Sequence, residues 1–182
     1  MGKYQAFDPE SKVLGALVQA FINSVQYEKI KPHLEHHGFD DVDPTEWYRL
    51  QGWLDVLSDL EGDQTGSAML DFVSIGIKIN ESAVYPPEMQ GMTFKQILGM
   101  FNDAHYMNHQ GDVGRFDVEF PEETHAVITY RLPYPDDFIY GGFFGEARRW
   151  LPDDTDFTIE YDPDITRHDH GGEATVVHIR WE

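Results

Sequence analysis

The apolar residues of this chain change their period near Gly111-Asp112-Val113-Gly114. Before that point they recur at steps of three and four, which gathers them on one side of a helix. After it they alternate, which puts them on one face of a strand. Val13, Leu14, Leu17, Val18, Phe21, Ile22 and Val25 form the first helical stripe. A second segment, Glu28 to His37, stops at Gly38, a natural C-cap. Asp43-Pro44 reads as the N-cap and first turn of a third helix, with Trp47, Leu50, Leu54, Leu57 and Leu60 inward. A fourth starts near Thr65, carries Met69, Phe72, Val73, Gly76 and Ile79, and ends at the Tyr85-Pro86-Pro87 break. Thr93 caps a fifth, whose inward face holds Phe94, Ile97, Leu98, Phe101 and His105.

Strands follow. Arg115 to Phe120 and His125 to Leu132 alternate, and Pro121-Glu122-Glu123-Thr124 between them reads as a hairpin turn. Pro133-Tyr134-Pro135-Asp136-Asp137 interrupts the sheet and starts a sixth helix, Phe138 to about Leu151. Phe157 to Tyr161 and Thr175 to Trp181 are two further strands. The expected fold is α+β, one domain over residues 1–182. An N-terminal helical part (1–110) packs on a four-stranded antiparallel sheet (111–182) with one inserted helix.

Charge and composition narrow the function. Against 13 basic residues stand 33 acidic ones, a formal charge of −20. Such a surface repels phosphate backbones and anionic headgroups, so neither nucleic acid nor membrane is an expected partner. The chain has no Cys, which removes disulfides and thiolate chemistry together. Met1 to Asp8 lacks the apolar core of a signal peptide, and the apolar stretches are too short for a membrane span, so a cytoplasmic location is expected.

No nucleophile elbow, phosphate loop or dinucleotide-binding glycine pattern follows a strand, and an enzyme is not expected. Gly141-Gly142-Phe143-Phe144-Gly145 falls within a helix, where glycines permit close approach of another element. Three stretches are rich in metal-ligand types: His105 with His109 at helical spacing, Thr166 to Glu173, and His33, His36 and His37, the last read as a solvated helix end. His105 stands eleven residues after Phe94 and so returns to the inward stripe. A His there is either an axial haem ligand or a buried ring bonded to a carbonyl or water.

The segments Phe101-Asn102-Asp103-Ala104-His105-Tyr106-Met107, Gly111-Asp112-Val113-Gly114, Val127-Ile128-Thr129-Tyr130-Arg131, Pro133-Tyr134-Pro135-Asp136-Asp137-Phe138, Ala147-Arg148-Arg149 and Val177-His178-Ile179-Arg180-Trp181 together carry a resemblance. The chain resembles the superfamily that joins haem nitric-oxide/oxygen-binding (H-NOX) domains, 4-vinyl-reductase-type ligand-binding domains and vesicle-tethering TRAPP subunits. For the H-NOX branch the resemblance implies haem held by His105. It also implies a Tyr-x-Ser-x-Arg clamp on the propionates, but here the strand reads Tyr130-Arg131-Leu132-Pro133-Tyr134, without that Ser or Arg. Each charge-assisted bond lost is worth about 1.5–3 kcal/mol. The second branch usually carries Cys near the last two strands, and none is present.

What the resemblance implies is a sensory or signalling domain with an apolar pocket between helices and sheet. His105, Phe101, Tyr130, Phe144 and Trp150 are the expected lining, for aromatic walls with a few polar groups suit a small apolar or flat ligand. No cofactor is expected, with a haem gas sensor using His105 as the alternative. A further alternative is a non-enzymatic scaffold whose cavity is filled by side chains. A signalling protein and a second copy of the chain are the expected macromolecular partners.

Overall fold

The computed structural model describes residues 2–62 and 70–182. Thr65 and Met69, assigned above to a helix, lie outside the described residues. The chain begins with strand β1 (Lys12–Leu14), helices α1 (Gly15–Ser24) and α2 (Tyr27–His37), strand β2 (Trp47–Arg49) and helix α3 (Leu50–Gly62). Helices α4 (Phe72–Ser82), α5 (Phe94–Gly99) and α6 (Phe101–Met107) follow, then strand β3 (His109–Gln110). The C-terminal part holds β4 (Arg115–Glu122), β5 (His125–Arg131), α7 (Asp136–Trp150), β6 (Phe157–Tyr161) and β7 (Thr175–Trp181).

The expectation that helices alone fill the chain to about residue 110 is overturned. β1 pairs antiparallel with β2 and with β3, giving a small three-stranded sheet in the order β2-β1-β3. Val13, Leu14 and Trp47 therefore sit in strands and not at helix starts. Strands of two or three residues are too short to show a period, so their apolar residues merge into the helical stripe beside them. Asp43 also caps no helix. Its Oδ1 accepts from Thr45 N (2.8 Å) and Thr45 Oγ1 (2.7 Å), closing a turn. That turn serves another helix. The carbonyls of Glu46 and Pro44 accept the N–H groups of Gly15 and Ala16, satisfying the first orphan donors of α1, which has no side-chain cap.

Other local signals act as read. Gly38 ends α2 at φ 75°, a left-handed value that a Cβ disfavours. Thr93 and Gln96 form a reciprocal capping box at α5. The fifth helix, however, is two: Met100 (φ −97°, ψ 2°) leaves helical geometry and re-aims α6.

The larger sheet is antiparallel throughout, in the order β4-β5-β7-β6. Ala126, Ile128 and Tyr130 of β5 share one face with Val177 and Ile179 of β7 and Ile159 of β6, and all are buried. Helix α7 covers this face. Behind it lies α4, at backbone contact: a Cβ on Gly141 would stand 2.1 Å from Val73 O, and one on Gly76 2.3 Å from Phe138 O. Arg149 then ties the end of α4 to α7, donating from Nη1 to the carbonyls of Asn80, Glu81 and Ala83. Among the described residues no helix is long and apolar enough to cross a membrane.

Candidate functional site

Helix α6 is stitched onto the start of β4. Asn102 donates from Nδ2 to Phe116 O (2.5 Å) and accepts from Phe116 N at Oδ1 (2.9 Å). One turn on, His105 donates from Nε2 to Val113 O (3.1 Å), and Tyr106 Oη donates to Gly114 O (3.1 Å). The carbonyl partner fixes the neutral tautomer of His105, with its proton on Nε2.

Under this seam lies an aromatic cluster. Phe101 stacks on Phe143 of α7 with ring centroids 5.6 Å apart and planes 17° off parallel. Phe116 packs against Phe101 (5.6 Å), His105 (5.8 Å) and Tyr130 (5.8 Å), and Tyr130 against Phe143 (5.9 Å). Offset and edge contacts of this kind are what aromatic rings favour. The structure thus brings His105, Phe101 and Tyr130 to one place between α6, α7 and the sheet, and there they fill the space themselves.

Phe144 and Trp150 are placed elsewhere. Phe144 packs on Tyr140 and Phe157 near the β6 edge. Trp150, at the end of α7, meets Tyr85 edge-on at 5.4 Å. A helix turns about 100° per residue, so Phe143 and Phe144 cannot face the same wall. Phe143 is the one that joins the cluster.

Two polar residues missed as site members complete it. His109 and Tyr134 are both buried, at 5% and 4% exposure. His109 donates from Nδ1 to His105 O (2.8 Å) and accepts at Nε2 from Tyr134 Oη (2.5 Å). The two imidazoles lie 4.3 Å apart. Burial lowers the pKa of both rings, and for His109 the neighbouring His105 adds to the effect, taking it down to about 3. The i, i+4 spacing of the histidines was visible in sequence, but their pairing with Tyr134 was not.

A second polar centre lies at the start of α7. Asp136 is fully buried and accepts at Oδ2 from Thr175 Oγ1 (2.6 Å) and Asp169 N (3.1 Å). Arg167 reaches Asp169 at 2.8 Å, Asp137 at 2.8 Å and Asp136 at 3.7 Å. Burial pushes the Asp136 carboxyl up to about 6. Asp169 is held low by Arg167 and Asp136 despite its own burial. This network locks the loop around the 3-10 turn His168–His170 against the helix, which gives the ligand-rich stretch Thr166 to Glu173 a structural role.

No family model and no curated protein matches the sequence. Solved structures do match. One is an oxygen-binding H-NOX domain related to soluble guanylate cyclases, in its oxygen complex (13% identity, 92% of each chain covered, TM-score 0.68). Another is a mutant of the T. Tengcongensis H-NOX (13% identity, 92% of this chain and 94% of that one, TM-score 0.65). A third is a Cs H-NOX mutant carrying 4-cyano-L-phenylalanine (12% identity, 93% and 96%, TM-score 0.67). Helices packed on an antiparallel sheet with a covering helix make this an α+β fold. Its particular fold is that of the H-NOX domains, over more than nine-tenths of its length.

Haem is the group this fold implies, and the residues present do not fit it in this arrangement. The Phe101–Phe143 stack with Phe116 and Tyr130 occupies the space beside His105. Nε2 of His105 carries a proton shared with Val113 O. Tyr130 Oη points to Asp136 O (3.5 Å) and Tyr134 Oη is committed to His109, so neither is presented to a propionate.

Proposed function

We propose that this chain is a non-catalytic sensory domain that takes a small, flat, apolar molecule between α6, α7 and the four-stranded sheet, with Phe101 and Phe143 parting to admit it. The observation that carries the reading is the Phe101–Phe143 stack bordered by Phe116 and Tyr130, beside the buried polar chain His105-His109-Tyr134. Parallel aromatic rings with a few convergent polar groups are the composition of a flat-ligand site. The seam of Asn102, His105 and Tyr106 on residues 113–116 is the element that binding would bias, since a ligand acts only through a difference in affinity between two states. A signalling protein would read the displacement of α6.

A haem gas sensor is the second reading. It is supported by a buried His105 on the helix before the sheet, in a fold whose solved examples include an oxygen-binding domain. One set of measurements separates the two. Protein expressed with haem supplementation is examined for a Soret band, and haem-free protein is titrated with the neutral fluorescent probe N-phenyl-1-naphthylamine. Saturable probe binding at one equivalent, weakened in Phe143→Ala and unaccompanied by a Soret band, supports the flat-ligand site. A stoichiometric Soret band lost in His105→Ala supports haem. Neither signal would leave the aromatic cluster as plain core and the domain as a scaffold.

A further inference from the structure

Helices α2 and α3 bring a separate group of side chains together on the far side of the N-terminal part. Ile30 and Leu34 anchor α2 in the core, and the helix ends at His37, where Gly38 turns the chain away. His36 and His37 thus stand at a fixed end, their rings 4.7 Å apart at 78°. From α3, Asp59 Oδ2 comes to 2.8 Å from His37 Nε2. One nitrogen of each imidazole and one oxygen of Asp59 all lie within 4.8 Å of one another. Among the described residues, no aromatic or hydrogen-bonded contact links this group to the His105 cluster.

A surface His–Asp pair alone contributes little, at about 0–1 kcal/mol, and has no use for a second imidazole beside it. Three ligands are a different object. Around a tetrahedral ion with bonds of about 2.0–2.1 Å, ligand atoms stand roughly 3.4 Å apart, a spacing these three reach by small side-chain rotations. Two imidazoles and one carboxylate suit ions of the zinc–cobalt–nickel–copper group, whereas calcium and magnesium favour all-oxygen sets. The chain's charge of −20 favours any cation. His37 also borders a surface concavity of about 640 Å³ whose wall includes Phe39, Tyr48 and Gln51.

We infer that His36, His37 and Asp59 form a binding site for a divalent transition-metal ion of the zinc type, with its remaining coordination open to water or to a small ligand seated in that concavity. On binding, His37 coordinates through Nε2, so its neutral ring takes the Nδ1–H tautomer, and Asp59 exchanges its hydrogen bond for a bond to the metal.

The test uses tag-free protein stripped with a chelator and titrated with Co²⁺, then with Zn²⁺ in competition. One equivalent of Co²⁺ with the d–d absorption of a low-coordinate site, displaced by Zn²⁺, is expected. His36→Ala and Asp59→Asn should each weaken it at least about tenfold. His168→Ala with His170→Ala should leave it unchanged. Asp59→Asn preserves side-chain size and a hydrogen-bond acceptor for His37, so a folding defect does not confound it, and circular dichroism checks this. Absence of a saturable equivalent, or an equivalent that survives either substitution, overturns the site. Neither result bears on the aromatic cluster, which this inference does not use.

Discussion

Tyr134 gives its hydroxyl proton to Nε2 of His109 across 2.5 Å, while Nδ1–H of the same ring donates to the carbonyl of His105. Both partners are buried, and the neutral ring is favoured because burial penalises the imidazolium and the neighbouring His105 adds to the effect. The folded-state pKa of about 3 lies below the ordinary His value of 6.5. In the window between those values the unfolded chain holds a proton that the folded chain does not. Stability should therefore fall as pH drops below about 6.5, by up to about 1.4 kcal/mol per unit from this group. Proton-detected titration of the imidazole resonances should find His109 still neutral at pH 5. A His109 signal titrating near 6.5 would refute the arrangement.

Replacing Tyr134 by Phe removes the donor and strands the His109 acceptor in an apolar setting. A loss of about 1–3 kcal/mol is expected in urea unfolding. The acid sensitivity should persist, because burial and the neighbouring His105, which hold the pKa down, remain in the variant.

His105→Leu is expected to behave differently. The apolar side chain keeps its contact with Phe116, and the main loss is one hydrogen bond to Val113 O, about 1 kcal/mol. The variant should fold. Under the flat-ligand reading its probe affinity changes by more than that stability loss accounts for. Unchanged affinity would make His105 a structural residue only.

Asp136 supplies the opposite pH dependence. Its folded pKa of about 6 exceeds the ordinary 3.8, so the neutral carboxyl is favoured by folding. Its contribution is complete below about 3.8 and is lost as pH rises through about 6. Asp136→Asn keeps an acceptor for Thr175 Oγ1 and Asp169 N without a buried charge, and its stability should no longer fall across that window. Asp136→Ala leaves both donors unpaired and should cost about 2–4 kcal/mol at pH 7. Equal stability of the Asn and Ala variants would count against the network.

How far these features could be read beforehand depends on their range along the chain. That Ala126, Ile128 and Tyr130 share an inward face with Val177 and Ile179 follows from alternation, since a one-residue slip would turn either set outward, whereas the strand order is seen only in the structure. Gly38 and the Thr93 cap act within a few residues of themselves and are equally plain, whereas the Gln96 half of the box is seen only in the structure. The three-stranded sheet was not plain, because β1 joins residues near 12, 48 and 109 through strands too short for a pattern. The polar chain fails for the same reason: His109 and Tyr134 are separated by 25 residues, and spacing ties His109 to His105 but gives no sign of Tyr134. Of the expected pocket residues, Phe101, His105 and Tyr130 were set by periodicity on α6 and β5. Phe144 and Trp150 were chosen as aromatics on a helix whose rotation sends them to other contacts.

The glycines of α7 give the sharpest contrast between neighbouring positions. At Gly141 an added Cβ would stand 2.1 Å from Val73 O, 2.8 Å from Val73 C and 2.9 Å from Val73 Cα, all backbone atoms of α4. Backbone cannot rotate aside, so the helices must separate and the aromatic layer beneath α7 must follow. At Gly142 the nearest atom is Asn80 Nδ2 at 3.0 Å, the end of a side chain. Asn80 loses its bond to Gly76 O if it swings out, a cost of about 1 kcal/mol. Alanine returns a similar amount, about 0.8–1 kcal/mol, through helix propensity. Gly141→Ala should thus destabilise by about 1–3 kcal/mol, as overpacked interfaces do, whereas Gly142→Ala should stay near the parent, within roughly a few tenths of a kcal/mol. Chemical denaturation of the two variants decides it: equal midpoints would mean that α4 and α7 do not meet at backbone contact.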